Sequence, residues 1–160
     1  MKLQILHRLT KTNWADNRAA ACCNLNVEIQ GLISKLRAVC DGAGRPIILL
    51  LTEGLMSDYK GAALMIDAIP NAKNLLGDKG YDADWFRQAL MIYGITLCIP
   101  PKSNRKTIIS FDKTLYRLRH KIENMFGKLK DWRRIYTRYD RYAHTIVSAI
   151  AIAATIIFWM

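Results

Sequence analysis

The stretch ISKLRAVCDGAGRPIILLLT, residues 33–52, consists of two apolar runs separated by DGAGRP, a segment of turn formers with two glycines and a proline. Such a turn between two strand-like runs predicts an antiparallel hairpin. Downstream, Ser57 and Asp58 can cap a helix through YKGAALMIDAI, which Pro70 ends because its ring and missing amide block continuation. AKNLLGD then reads as a short strand. Asp82 or Asp84 begins a helix, DWFRQALMIYG, closed by Gly94, and ITLCIP is another strand ending in a Pro pair. Residues 101–112 are polar, basic and Pro-led, as in a surface loop. A long helix follows from about Lys113 through LYRLRHKIENMFGKLKDWRRI, and a last helix occupies most of the segment after Tyr142. The order β, β, α, β, α, β before two terminal helices predicts a mixed α/β sheet domain. Upstream of the hairpin, residues 1–30 show neither the alternation of a strand nor the stripe of a helix, and are read as poorly defined.

The chain has 160 residues, enough for one domain with its own core and too few for a second of full size. Its formal charge is +11, and residues 102–141 supply +9 of it, with 13 Lys or Arg against Asp112, Glu123, Asp131 and Asp140. Clustered cations of this kind favour a polyanion, since they displace condensed counterions from phosphate backbones. Cys22, Cys23, Cys40 and Cys98 form no C-x-x-C pair and lack zinc-site spacing, so they read as reduced thiols. No secretory leader is evident, which makes a cytoplasmic, nucleoid-associated location the expectation. Residues 143–160, AHTIVSAIAIAATIIFWM, approach membrane-spanning length after a basic run. Their Ala, Ser and Thr content suits a helix packed on all sides inside a protein instead, and no membrane association is expected.

Tyr116, Arg119, Glu123 and Lys130 fall within an arc of about 60° on one face of the basic helix, along roughly 21 Å of its length. Leu115, Ile122, Phe126 and Leu129 occupy the adjacent face, suited to packing on the sheet. By itself, Glu123 among these cations reads first as a rung in a solvated ion-pair ladder with Arg119 and Lys130. Asp78, in LLGDKGY, sits at the C-terminal end of the expected strand, and an Asx turn before Gly80 is the structural alternative for it.

The spacing Y-x2-R-x3-E-x6-K, met by Tyr116, Arg119, Glu123 and Lys130, resembles the signature of DDE transposases from insertion sequences. LLGDKGYDADWFRQAL resembles the segment that carries their second catalytic Asp, and the resemblance extends from about Gly31 to Met160. It implies a ribonuclease H-like mixed sheet with flanking helices, incomplete at its N-terminus, with residues 31–160 a partial catalytic domain. It also implies that Asp78 and Glu123 are catalytic and bind metal, and that Tyr116, Arg119 and Lys130 contact DNA. The implied cofactor is Mg²⁺ or Mn²⁺ in a two-ion site, since hard carboxylate oxygens suit ions that activate the attacking oxygen and stabilise the leaving one. The implied activity is metal-dependent hydrolysis and strand transfer at insertion-sequence ends, by an oligomer. The family's first Asp has no equivalent, for Asp16 does not end an apolar strand and Asp41 belongs to the DGAGRP turn. A truncated enzyme, inactive alone, or a partner chain supplying the missing strand is therefore expected. The alternative function is a non-catalytic DNA-binding remnant, to which Tyr136, Tyr139 and Tyr142 could add base stacking.

Overall fold

In the computed structural model, residues 3–5, 19–29, 32–107, 109–132 and 142–160 are described. The strands are β1 (Leu3–Ile5), β2 (Ala19–Ile29), β3 (Leu32–Cys40), β4 (Pro46–Glu53), β5 (Asn74–Gly77) and β6 (Thr96–Cys98). The helices are α1 (Asp58–Ala63), α2 (Asp84–Ile92), α3 (Lys113–Tyr116), α4 (His120–Asp131) and α5 (Ala143–Trp159). One sheet contains all six strands in the order β1-β4-β3-β2-β5-β6. β3 pairs antiparallel with β2 on one side and β4 on the other, whereas β2, β5 and β6 run parallel.

The hairpin forms as the sequence predicts, with β3 and β4 joined through DGAGRP. Asp41 organises that turn: its buried carboxylate accepts the Ala43 and Arg45 amides at 2.9 Å and pairs with the Arg45 side chain. Gly44 there has φ +86°, a left-handed conformation that suits glycine, and its Cα faces the backbone of Lys121 on α4. The Lys121 ammonium donates to the Gly42 carbonyl at 2.6 Å, docking the turn on α4.

β4 reads as a continuous apolar run because both of its faces are covered. Leu49 and Leu51 join one core with α4 and α5, built from Ile122, Met125, Phe126, Leu129, Ile146 and Ile150. Ile48 and Leu50 join the other with α1 and α2, built from Ala62, Met65, Phe86 and Leu90. The result is a three-layer α/β/α sandwich, and the 3.6-residue stripe of α4 points inward as its spacing predicts.

Four expectations are corrected. Residues 19–29, expected to be poorly defined, form the central strand, paired with β3 on one side and β5 on the other. The alternation Asn24-Leu25-Asn26-Val27-Glu28-Ile29 is a strand pattern, which the small residues and cysteines of Ala19–Cys23 interrupt. The place expected to await a partner's strand is thus filled by the chain itself. The long helix from Lys113 is broken into α3, a 3-10 turn at Arg117–Arg119 and α4, which stops at Trp132 where the backbone turns extended. Finally, α5 is covered on one face only: Ile146, Val147, Ile150, Ala153 and Ala154 are buried, while Ile152 and Ile156 are exposed. The Ser148 and Thr155 hydroxyls donate to carbonyls one turn back, so these polar groups sit in an apolar helix without an external partner. Among the described residues no helix is long and apolar enough to cross a membrane. Tyr136 and Tyr139 lie outside the described residues, and Tyr142 is exposed with its ring against His144.

Candidate active site

Asp78 follows immediately after β5, on the strand's C-terminal end, with extended φ and ψ. Its main chain starts a 3-10 turn, and its carbonyl accepts from the Tyr81 amide at 2.9 Å, but its side chain makes no capping bond. The Asx-turn reading therefore fails. The carboxylate reaches across to the helical layer instead, where its Oδ1 lies 2.6 Å from Nη1 of Arg119.

The same guanidinium gives Nη2 to Oε1 of Glu123, also at 2.6 Å. Because the two Nη atoms of a guanidinium are about 2.3 Å apart, these oxygens of Asp78 and Glu123 lie within about 7.5 Å of each other. Two acids 45 positions apart in sequence thus converge on one cation. The Arg119–Glu123 pair alone would be a surface rung between neighbouring helical turns, worth little. The fork to Asp78 makes it a junction between the helix and the sheet.

The 3-10 turn explains how Arg119 reaches. In a 3-10 turn residues i and i+3 eclipse, so Arg119 lines up with Tyr116 instead of being offset as in an α-helix. Its guanidinium carbon accordingly sits 5.5 Å from the Tyr116 ring centre, and that ring meets Phe111 edge-on. Tyr116 is anchored by its ring, Arg119 by its fork. Lys130, seven residues beyond Glu123, is exposed on α4.

Two open clefts flank this junction. One, of about 750 Å³, includes Asp58, Asp78, Lys79, Lys102, Asn104 and Tyr116 in its lining. The other, of about 690 Å³, lies on the Glu123 side and takes in Arg45, Lys121, Asn124 and Lys128. Among the described residues no three His, Cys, Asp or Glu side chains gather as a metal cluster. Gly77, just before Asp78, pairs with Cys22 of β2, and the strand AAACCNLNVEI contains no Asp. Asp41 is committed to its turn, as its place in DGAGRP indicates.

Several residues of this region escape sequence reasoning. Asp58 is legible only as a helix start, yet its Oδ1 accepts from Arg37 at 3.0 Å and it borders the Asp78 cleft. Gly80 underlies it, where any Cβ would collide with the Asp58 carboxylate. Arg37, fully buried on β3, also donates to Thr52 and to the Met56 and Ser57 carbonyls. Asp82, legible only as a possible cap, is a buried acceptor for Arg87, Arg105 and the Lys102 amide. Burial alone would raise its pKa, but the Arg105, Lys102 and Arg87 hydrogen bonds outweigh that and bring it down to about 2. An apolar strand interrupted by Arg at position 37 is the one local signal that could have announced a buried ion pair.

The sheet order agrees with comparison to known proteins. The sequence profile described as "Transposase DDE domain" matches residues 16–158, a span that takes in β2 and begins earlier than the resemblance from Gly31 suggested. This chain belongs to the DDE transposase family. The protein named as transposase for insertion sequence element IS6501 of Brucella ovis is 29% identical over 128 residues, covering 79% of this chain and 98% of that one. The corresponding protein of IS402 from Burkholderia cepacia is 28% identical over 137 residues; the match covers 79% of this chain and 63% of that relative. Among solved structures, the catalytic core of HTLV-2 integrase in complex with magnesium superimposes with a TM-score of 0.58 at 11% identity, over 87% of this chain and 84% of that one. The simian T-cell lymphotropic virus intasome gives 0.59 at 13% identity over 88% of this chain and 48% of the matched chain. The BIV integrase core gives 0.53 at 13%, over 87% and 82%. The transposase domain therefore has the ribonuclease H-like fold of these cores.

Proposed function

We propose that this transposase domain grips the end of an insertion sequence through its phosphates, and that Asp78 and Glu123 form the carboxylate pair for metal-dependent hydrolysis and strand transfer there. The observation that carries the reading is the Arg119 fork, in which both acids are held at 2.6 Å from one cation. A guanidinium already seated between two hard-oxygen donors is a stand-in for the charge such a pair is built to bind, so the residues present fit a divalent ion. Asp78 and Glu123 would hold it. When bound, Mg²⁺ or Mn²⁺ supplies Lewis acidity to a phosphodiester and lowers the pKa of an attacking hydroxyl or water.

The other roles belong to the chain's own cations. Arg119 offers a planar fork to a phosphate, Lys130 a point charge further along the same helix, and Tyr116 a hydroxyl on a ring fixed against Phe111. With two acids in place of three, affinity for the ion is reduced and the domain alone is a weak nuclease, active as an oligomer on DNA ends. Cleavage of duplex DNA carrying the element's terminal repeats, with Mg²⁺ or Mn²⁺, tests this directly. The wild type should nick more than Glu123→Gln, and equal activity in the two removes the metal role assigned to Glu123.

A second reading, DNA binding without cleavage, rests on β2, whose sequence offers no Asp beside Asp78. Salt-dependent binding with no nicking under either metal would favour it.

A further inference from the structure

Lys102, Ser103 and Asn104 line the Asp78 cleft, and the segment is tied down by a single buried carboxylate, that of Asp82. Asp82 has no exposed side-chain surface. Its Oδ1 accepts from Arg87 Nε at 2.8 Å and Arg105 Nη2 at 2.9 Å, and its Oδ2 from Arg105 Nε and the Lys102 amide, both at 2.9 Å. Arg105 reaches on to Asp84 at 2.6 Å, and Arg87 to the Ile99 carbonyl at 3.1 Å. Arg105 of the loop and Arg87 of α2 are consumed internally, while Lys102 lines the cleft with its ammonium 6.0 Å from the Tyr59 ring centre.

We propose that Asp82 is a positioning residue for DNA: by fixing the Lys102 amide and Arg105 it holds the Lys102–Asn104 wall so that the Lys102 ammonium meets a phosphate in the Asp78 cleft. The proposal rests on the DNA-binding part of the function above and adds a second contact line to that of α4. A loose loop would have to be ordered on binding, at a cost of about 1–2 kcal/mol per residue fixed, which the latch has already met in the free protein.

The sign of one substitution separates this from general electrostatics. Asp82→Asn removes an acid and frees two arginines, so a protein that merely attracts DNA should bind it more tightly. A positioned wall should bind it less tightly. The experiment is fluorescence anisotropy of a labelled duplex oligonucleotide titrated with the full chain over a range of salt, without divalent metal. Lys102→Ala should lower the slope of log K against log salt by about 0.9, one phosphate contact. Asp82→Asn should lower it similarly despite its added charge, and the double variant should lose no more than either alone. Lys130→Ala, on α4, should add to both. Arg105→Gln loosens the same loop while retaining a donor, and should repeat the effect if Asp82→Asn fails to fold by circular dichroism. Tighter binding by Asp82→Asn, or additive losses with Lys102→Ala, overturns the proposal while leaving the transposase reading intact. Absence of salt-dependent binding in the wild type overturns the DNA-binding reading itself.

Discussion

Arg119, Asp82 and Arg37 each do at the level of one side chain what no sequence window displays. Arg119 and Glu123 were legible as an i,i+4 pair and Asp78 as the residue ending a strand, so the components of the junction could be named from sequence. Their convergence could not be derived locally, because it depends on the sheet carrying β5 beneath α4. Asp82 makes a pH prediction. Its folded pKa, about 2, is below the ordinary value of 3.8, so its contribution is complete above about pH 5 and is lost as pH falls towards 2. The full contribution is on the order of 2 kcal/mol. Urea unfolding at pH 7 and pH 2.5 should show wild type exceeding Asp82→Asn by that margin at neutral pH and by much less in acid; an unchanged gap would refute the assignment. Arg37→Met should be costlier, about 3–5 kcal/mol, since it removes a buried guanidinium that donates to Asp58, Thr52 and the Met56 and Ser57 carbonyls. A loss below about 1 kcal/mol in the same assay would mean that the buried network relaxes freely.

Secondary-structure elements were read well wherever period and punctuation agreed. The β3–β4 hairpin, α2 closed by Gly94 at φ +71°, and the inward stripe of α4 all follow from turn chemistry and spacing. β2 is only half legible: NLNVEI alternates as a strand should, but AAACC before it has no period, and pairing with neighbours on both sides carries the strand through that part. The 3-10 break at Arg117–Arg119 is not legible because LYRLRHKI contains no Gly, Pro or capping residue to interrupt a helix. Two glycines in helices give opposite predictions. Gly127 on α4 has open space where a Cβ would go, so Gly127→Ala should stabilise by about 0.5–1 kcal/mol through backbone entropy. Gly61 on α1 lies against the Arg37 guanidinium, and Gly61→Ala should destabilise by more than about 3 kcal/mol by displacing it. Thermal unfolding of the two variants should move in opposite directions, and a shared direction would contradict the packing described for α1.

Across the whole molecule, the strand order β4-β3-β2-β5-β6 with helices on both faces sets Asp78 at the parallel strand ends and lays the basic helix over it. Charge follows the same geography, with most of the net +11 in the segment that runs from the Asp78 cleft along α4. The central claim is that Asp78 and Glu123, from separate layers, serve one cation. Titration of the full chain with Mn²⁺, read by the loss of the free ion's paramagnetic resonance signal, tests it most directly. One site should appear in the wild type and disappear in Asp78→Asn and in Glu123→Gln alike. A site that survives either substitution, or no site in the wild type, would contradict it.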